Sequence, residues 1–393
     1  MLENYNIVCF GPSDWWGMNP SCTTHIVNRL AIKNRVVYIN PFSSDLLGIT
    51  GHNGFMSRLF RKLKSMARPL RKITANLYVV SLFFLPLQGL ELIDKVNNIL
   101  LKLQLRLILW RLKMSGAILW VENIRCADII PGFRWRLIIY HVSDMFAECP
   151  YTYNKNKLQR RENLVSEYSD MMVCVSRSLY EYKHNGQKNI YYLPHGVDFD
   201  IFRYVAQRRR FYESLYRFSH PLAGYFGTLT AENDIELLEY CAVNLPAVTF
   251  VFAGQITGGN YSGLMRLKNA VFLGRIAYEK IPQLCAVLDI GLLPWRPTDW
   301  IAKCNPLKLL EYMAGGKPVV SVAIDEVARN YSDIVSIAYT KEEFCRAIKW
   351  ELQNDTRKRR IKRIAVAQAH SWENHNRLLC DIIEAGLEKI AAK

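Results

Sequence analysis

Asn305-Pro306-Leu307-Lys308-Leu309-Leu310-Glu311-Tyr312-Met313-Ala314-Gly315-Gly316-Lys317-Pro318-Val319-Val320 is the stretch from which the rest of this 393-residue chain can be read. Its pattern is loop, short helix, glycine stop and buried strand. Pro306 suits the first turn of a helix, Gly315 and Gly316 end it, and Pro318 onward resumes as a β-branched strand. Lys308 and Glu311, three apart, share one helix face. A cation and a carboxylate side by side at a helix start suit a ligand that carries both phosphates and a ribose diol. The cation and the free helix N–H groups face phosphate, and the carboxylate accepts from sugar hydroxyls. The plainer alternative is a surface salt bridge on a core helix.

Working outward, short continuous apolar runs recur between helical stretches, as parallel strands covered on both faces require. One series comprises Ile7–Gly11, Arg35–Asn40, Leu77–Leu82, Ala117–Val121, Leu137–His141, Met171–Val175 and Ile190–Leu193. A second comprises Leu222–Phe226, Thr249–Ala253, Ala270–Leu273, Ile290–Leu293, Pro318–Val322 and Ile334–Ala338. Two strand–helix series in succession predict an α/β protein of two doubly wound domains, which also suits a length too great for one ordinary core. Leu193-Pro194-His195-Gly196-Val197-Asp198 lies between the series, and a final helix opens at Ser371-Trp372-Glu373.

The Pro306–Val320 stretch resembles the donor-nucleotide motif of GT-B glycosyltransferases from bacterial polysaccharide and cell-wall synthesis. Other pieces stand in that family's order: Leu193–Asp198, Gly224-Tyr-Phe-Gly-Thr-Leu, Phe250-Val-Phe-Ala-Gly, Val271-Phe-Leu-Gly and Asp289-Ile-Gly-Leu-Leu-Pro-Trp. The resemblance implies two Rossmann-like domains facing across a cleft. Residues 1–195 would be an acceptor-binding, membrane-facing domain and 196–370 a nucleotide-sugar domain, with 371–393 a helix crossing back to the first. It gives Glu311 the ribose and Lys308 the diphosphate, with Asn305, Pro306, Gly227, Thr228 and Gly254 around the donor. Arg275 and Lys303 are further sources of charge, and His195 a further neighbour of the donor.

Glycosyl transfer with inversion needs a base near the acceptor oxygen and positive charge near the departing diphosphate. Asp144, in Ile139-Tyr-His-Val-Ser-Asp, resembles the aspartate base of teichuronic-acid-type and xanthan glucuronosyltransferase-like enzymes. The alternative is a turn or N-cap aspartate. His25 is the rival base, a few residues beyond the loop that holds Asp14, Trp15 and Trp16, whose rings suit stacking on an acceptor sugar. Retaining relatives often carry a glutamate eight residues before the ribose glutamate, and Lys303 stands there, which favours inversion. Asp198-Phe-Asp200 is formally a D-x-D, but GT-B transferases generally hold the diphosphate without metal, so no metal and no cofactor are expected.

Net charge is +16, concentrated in Met56–Lys72, with seven basic residues and no acid, and in Asn98–Lys113. Both stretches interleave cations with large apolar residues, which suits an anionic leaflet or a lipid diphosphate; the alternative is a core helix with a solvated basic face. No nucleic-acid module accompanies the charge, so no nucleic-acid partner is expected. Arg357–Arg363 reads as a solvated helix face. Ala75–Leu90 is uncharged for 16 residues but too short to cross a bilayer. Ten scattered cysteines without metal spacing suit reduced thiols. With no signal-peptide pattern, the expected location is cytoplasmic, on the inner face of the membrane. The expectation is therefore a transferase moving sugar from a nucleoside diphosphate, UDP above others, to a glycan or polyprenyl-linked acceptor. The alternatives are a UDP-sugar 2-epimerase on the same fold, or a non-catalytic protein binding a membrane surface or nucleic acid.

Overall fold

The computed structural model describes residues 2–17, 20–42, 69–85, 91–146, 148–149, 154–184, 189–208 and 218–392. They fall into two compact units. The first holds Met1–Val175, Leu179–Leu193 and Asn376–Lys393, and the second holds Ser176–Ser178 and Pro194–His375.

The first unit is built on an eight-stranded sheet ordered β3-β4-β2-β1-β5-β6-β7-β8. Its strands are β1 (Asn6–Phe10), β2 (Arg35–Ile39), β3 (Leu70–Lys72), β4 (Leu77–Val80), β5 (Ile118–Val121), β6 (Leu137–Val142), β7 (Met171–Cys174) and β8 (Ile190–Tyr192). All pairings are parallel except β3 with β4. The central strands are buried nearly throughout, which explains their continuous apolar sequences. The long last helix, Trp372–Ala391, ends within this unit. There Gly386 lies so near Met171 that an added Cβ would sit 2.8 Å from its sulfur.

Two sequence expectations need correction here. Arg71 and Lys72, the end of the basic stretch, lie on the antiparallel strand β3 and not on the core helix that is the alternative for that stretch. Residues 56–68 of that stretch lie outside the described residues. The basic segment Arg357–Arg363 is not simply a solvated face. Arg363 is fully buried, with Nη2 donating to both Asp355 oxygens at 2.7 and 2.8 Å. Arg359 likewise makes two bonds to the buried Glu351. Bidentate carboxylate partners, supplied by folding, are what let a guanidinium enter the core.

The second unit carries a six-stranded sheet ordered β11-β10-β9-β12-β13-β14, parallel throughout. Its strands are β9 (Leu222–Phe226), β10 (Thr249–Ala253), β11 (Ala270–Gly274), β12 (Ile290–Leu293), β13 (Val319–Val322) and β14 (Ser336–Ala338). Chain order reverses between β9 and β12, the kind of switch point at which doubly wound sheets bind ligands. The helix Leu307–Ala314 packs there. Tyr312 fixes it: its hydroxyl donates to Gly224 O at 3.0 Å on β9, and its ring fills the space a Cβ at Gly291 of β12 would need. Burying such an aromatic side chain contributes roughly 2–3 kcal/mol.

Candidate functional site

Three consecutive parallel strands of the second unit end in glycine: Gly227 after β9, Gly254 after β10, and Gly274 closing β11. Gly227 has φ +135°, open to glycine but strained for other residues. Its amide donates to Ala253 O at 2.8 Å, and the Gly254 amide donates to Gly274 O at 2.8 Å. A Cβ on Gly254 would fall 1.8 Å from Gly227 O, so the two turns approach with no room for a side chain. Farther out, Leu229 N donates to Gln255 O at 3.0 Å, and Asp234 N to Pro294 O at 2.8 Å. The loop after β9 is thus stitched to those after β10 and β12, with Thr228 exposed on it.

Lys308 lies over this floor. Its Nζ is 5.3 Å from the centroid of the Tyr225 ring and 5.2 Å from that of Trp295. Two electron-rich faces hold the ammonium beside Gly227. Pro306 occupies the N-cap of the helix Leu307–Ala314 and has no side-chain acceptor. Leu309 N donates to Pro306 O at 3.0 Å, and the amides of Leu307 and Lys308 ahead of it face outward from the helix start, as amides do at helix ends that bind phosphate. Asn305, just before, is buried.

Glu311 sits one turn further along the helix. The pair does not close into the surface salt bridge that sequence spacing allows. Glu311 hydrogen-bonds Tyr278 instead, and the Tyr278 hydroxyl also lies 3.0 Å from Asp198 Oδ2. Glu311 retains partial exposure, yet enclosure by protein is the main force that pushes its carboxyl up to about 7. Lys308 pulls it down, and the Asp198 charge pushes it further up. Burial also raises the Tyr278 hydroxyl far above its ordinary value, with the two carboxylates adding to the effect. The result is a carboxylate poised between neutral and ionised, backed by a phenol and a second carboxylate.

Residues 220–354 match the family model described as Glycosyl transferases group 1. This part of the chain is a group 1 glycosyltransferase domain. Among curated proteins, the putative teichuronic acid biosynthesis glycosyltransferase TuaH of Bacillus subtilis (strain 168) is 25% identical over 220 residues. That match takes in 50% of this chain and about half, 53%, of the relative. Among solved structures, sucrose-phosphate synthase from Thermosynechococcus elongatus matches with TM-score 0.72 at 12% identity, over 99% of this chain and 100% of that one. Anabaena Alr3699/HepE in complex with UDP-glucose matches with TM-score 0.69 at 16% identity, over 97% and 99%. The fold is that of GT-B glycosyltransferases.

Gly227, Thr228, Gly254, Asn305, Pro306, Lys308 and Glu311, singled out from sequence, all lie at the carboxyl end of the second unit's sheet. Asp198, half of the formal D-x-D, is engaged with Tyr278, while Asp200 is exposed in the helix Phe199–Arg208. Tyr225 and Trp295 lie within the motif pieces quoted from sequence, but their contact with Lys308 arises only through folding. Tyr278 lies in none of those pieces, and no local pattern marks it. A cavity of about 770 Å³, lined by His220, Asp289, Lys349 and Glu351 among others, opens instead at the strands' amino ends. Parallel sheets place their ligands at the opposite end, so this cavity is not the donor site.

In the first unit, Asp14, Trp15 and Trp16 lie in the loop after β1. Their side chains already serve that loop: Asp14 Oδ1 accepts from Trp16 N at 3.1 Å, Trp15 stacks edge-on against Tyr38, and Arg71 lies 4.7 Å over the Trp16 ring. Asp144 follows β6, and its Oδ1 accepts from Met145 N at 2.8 Å. His25 is half-buried on the helix Cys22–Leu30. His141 is buried in the core, its Nδ1 3.1 Å from Glu122 Oε2, and Thr23 donates to the same oxygen. Glu122, just past β5, escaped the sequence reading because an isolated glutamate after an apolar run reads as the start of a solvated loop.

Proposed function

We propose that this chain is a glycosyltransferase that takes a UDP-linked sugar as donor. The carrying observation is the arrangement at the β9/β12 switch point: Lys308 held over Gly227 beside an uncapped helix start, with Glu311 one turn away. Lys308 and the first-turn amides would meet the diphosphate, and the ionised Glu311 would accept from the ribose hydroxyls. The group 1 domain, the glycosyltransferase relative and a fold shared with a protein complexed with UDP-glucose support this reading.

In the transfer itself, an acceptor hydroxyl oxygen attacks the sugar's anomeric carbon as the bond to the UDP oxygen breaks. UDP leaves carrying the negative charge, and a base takes the hydroxyl proton. Asp144 is the candidate base, His25 its rival, and a single displacement inverts the anomeric centre. Lys308 opposes charge growing on the departing diphosphate, the task a metal performs in other transferases, so no divalent ion is required. The acceptor is a glycan or polyprenyl-linked glycan at the inner face of a membrane, within polysaccharide synthesis. A thermal-shift panel of nucleotide sugars tests the reading, since a donor raises the melting temperature by mass action. UDP-sugars should shift it, and a panel in which none does would remove the basis for the proposal.

A further inference from the structure

The helix Glu91–Arg111 carries two apolar faces, and the fold uses only one. Asn97, Leu101 and Leu105 are buried. Leu92, Val96, Ile99, Leu103, Leu107 and Trp110 are exposed, at 74%, 37%, 60%, 55%, 61% and 79%. Their spacing of 4, 3, 4, 4 and 3 residues places all six within an arc of about 80° at 3.6 residues per turn. That arc points directly away from the buried face. Single exposed leucines are ordinary; six in one unbroken stripe ending in a tryptophan are not.

Charge says what covers the stripe. Lys95, Lys102 and Arg106 run along one edge, with Glu91 the one acid at its start, and the other edge holds Ile93, Leu100, Gln104 and Arg111 without an acid. Of the two acids at the helix start, Glu91 pairs with Lys95, and Asp94 turns to Lys157. A second copy docked on the stripe would meet these cations with cations or neutral residues. An anionic bilayer would meet them with phosphate while taking the leucines into its acyl boundary. The helix is about 30 Å long, enough to lie flat with lysine and arginine stems reaching up to the headgroups. Among the described residues, no helix is long and apolar enough to cross a membrane.

We propose that this outward face, Leu92 to Trp110, is the surface by which the protein docks on an anionic lipid bilayer, the helix lying in the interface. The proposal deepens the membrane-side part of the function given above by naming its surface. It can fail without the donor site failing, because docking requires no sugar transfer.

The test is co-sedimentation of the full chain with phosphatidylcholine vesicles, with and without about one third phosphatidylglycerol. Binding should be about tenfold stronger with the anionic lipid, and Leu103→Glu combined with Trp110→Glu should lower it at least about tenfold. Melting temperature and UDP-glucose affinity should stay as in the parent, since both positions are exposed. Should that variant fail to fold, brominated-chain lipids provide a second readout. They should quench a component of tryptophan emission that Trp110→Phe lacks. Vesicle binding that survives both glutamates, or no vesicle binding at all, would overturn the proposal. So would a lipid-free dimer that the double variant converts to monomer, because the stripe would then belong to a second copy.

Discussion

Lys308 occupies the space a side chain at Gly227 would need: a Cβ there would lie 2.4 Å from Lys308 Cε and 2.8 Å from its Nζ. The lysine's flexible end can retreat, so Gly227→Ala should still fold. The strained φ should cost about 1–3 kcal/mol, and moving the ammonium off Tyr225 and Trp295 should weaken UDP-sugar binding about tenfold. Gly254 has no such escape, because its clash at 1.8 Å is with the Gly227 backbone carbonyl. Gly254→Ala should therefore destabilise more than Gly227→Ala. Chemical denaturation of the two variants compares the costs directly, and equal midpoints would count against the tight approach of these turns.

Glu311, with its carboxyl pushed up to about 7 from an ordinary 4.5, makes donor binding depend on pH. The folded state binds more protons than the unfolded state between these values, so this residue's contribution to stability declines as pH rises through that window. Glu311→Gln should gain on the parent above about pH 7, by at most about 3 kcal/mol, with the advantage closing towards pH 5. Affinity runs the other way. UDP-glucose should bind the parent more tightly as pH rises from about 6 to 8, because only the ionised carboxylate accepts from both ribose hydroxyls. In Glu311→Gln that slope should vanish, and a parent with flat affinity would contradict the assigned ionisation.

The Tyr278 phenol stands between two carboxyl groups, those of Asp198 and Glu311, and hydrogen-bonds both. Tyr278→Phe removes the hydrogen bond that lowers Glu311 while leaving the Asp198 charge that raises it. The midpoint of the pH dependence should therefore move up. Affinity lost at neutral pH should return towards about pH 9, and stability should fall by about 1–3 kcal/mol. Adding Asp198→Asn to the variant should move the midpoint back down. A midpoint unmoved by Tyr278→Phe would show that this hydroxyl has no influence on Glu311.

Asp144 and His25 can be told apart kinetically. If Asp144 is the base, Asp144→Asn should lower kcat by about 10²–10⁴ while leaving UDP-sugar affinity intact, and His25→Ala should do far less. The reverse pattern would hand the role to His25.

Both sheets were legible in the chain because parallel strands are apolar on both faces, and runs such as Leu222–Phe226 and Ile290–Leu293 carry that signature without ambiguity. The Lys308/Glu311 face was legible because its members lie one helical turn apart. What stayed hidden was whatever depends on distant partners. Arg363 looks like any cation in a basic helix until Asp355 closes on it. Strand β3 is three residues of a basic stretch and exists only by pairing with β4. Tyr278 and Asp198, 80 positions apart, meet only through the fold. In the helix Glu91–Arg111, the count of leucines was visible, but which of them remain outside was not.

On the proposed function, Glu311 and Lys308 together hold a UDP-linked sugar. Calorimetric titration of UDP-glucose into the parent protein and into Glu311→Ala, at about pH 8 where the carboxylate is ionised, tests it most directly. Losing a charge-assisted acceptor costs about 1.5–3 kcal/mol, so affinity should be at least about tenfold weaker in the variant, with the fold intact. Equal affinities would contradict it.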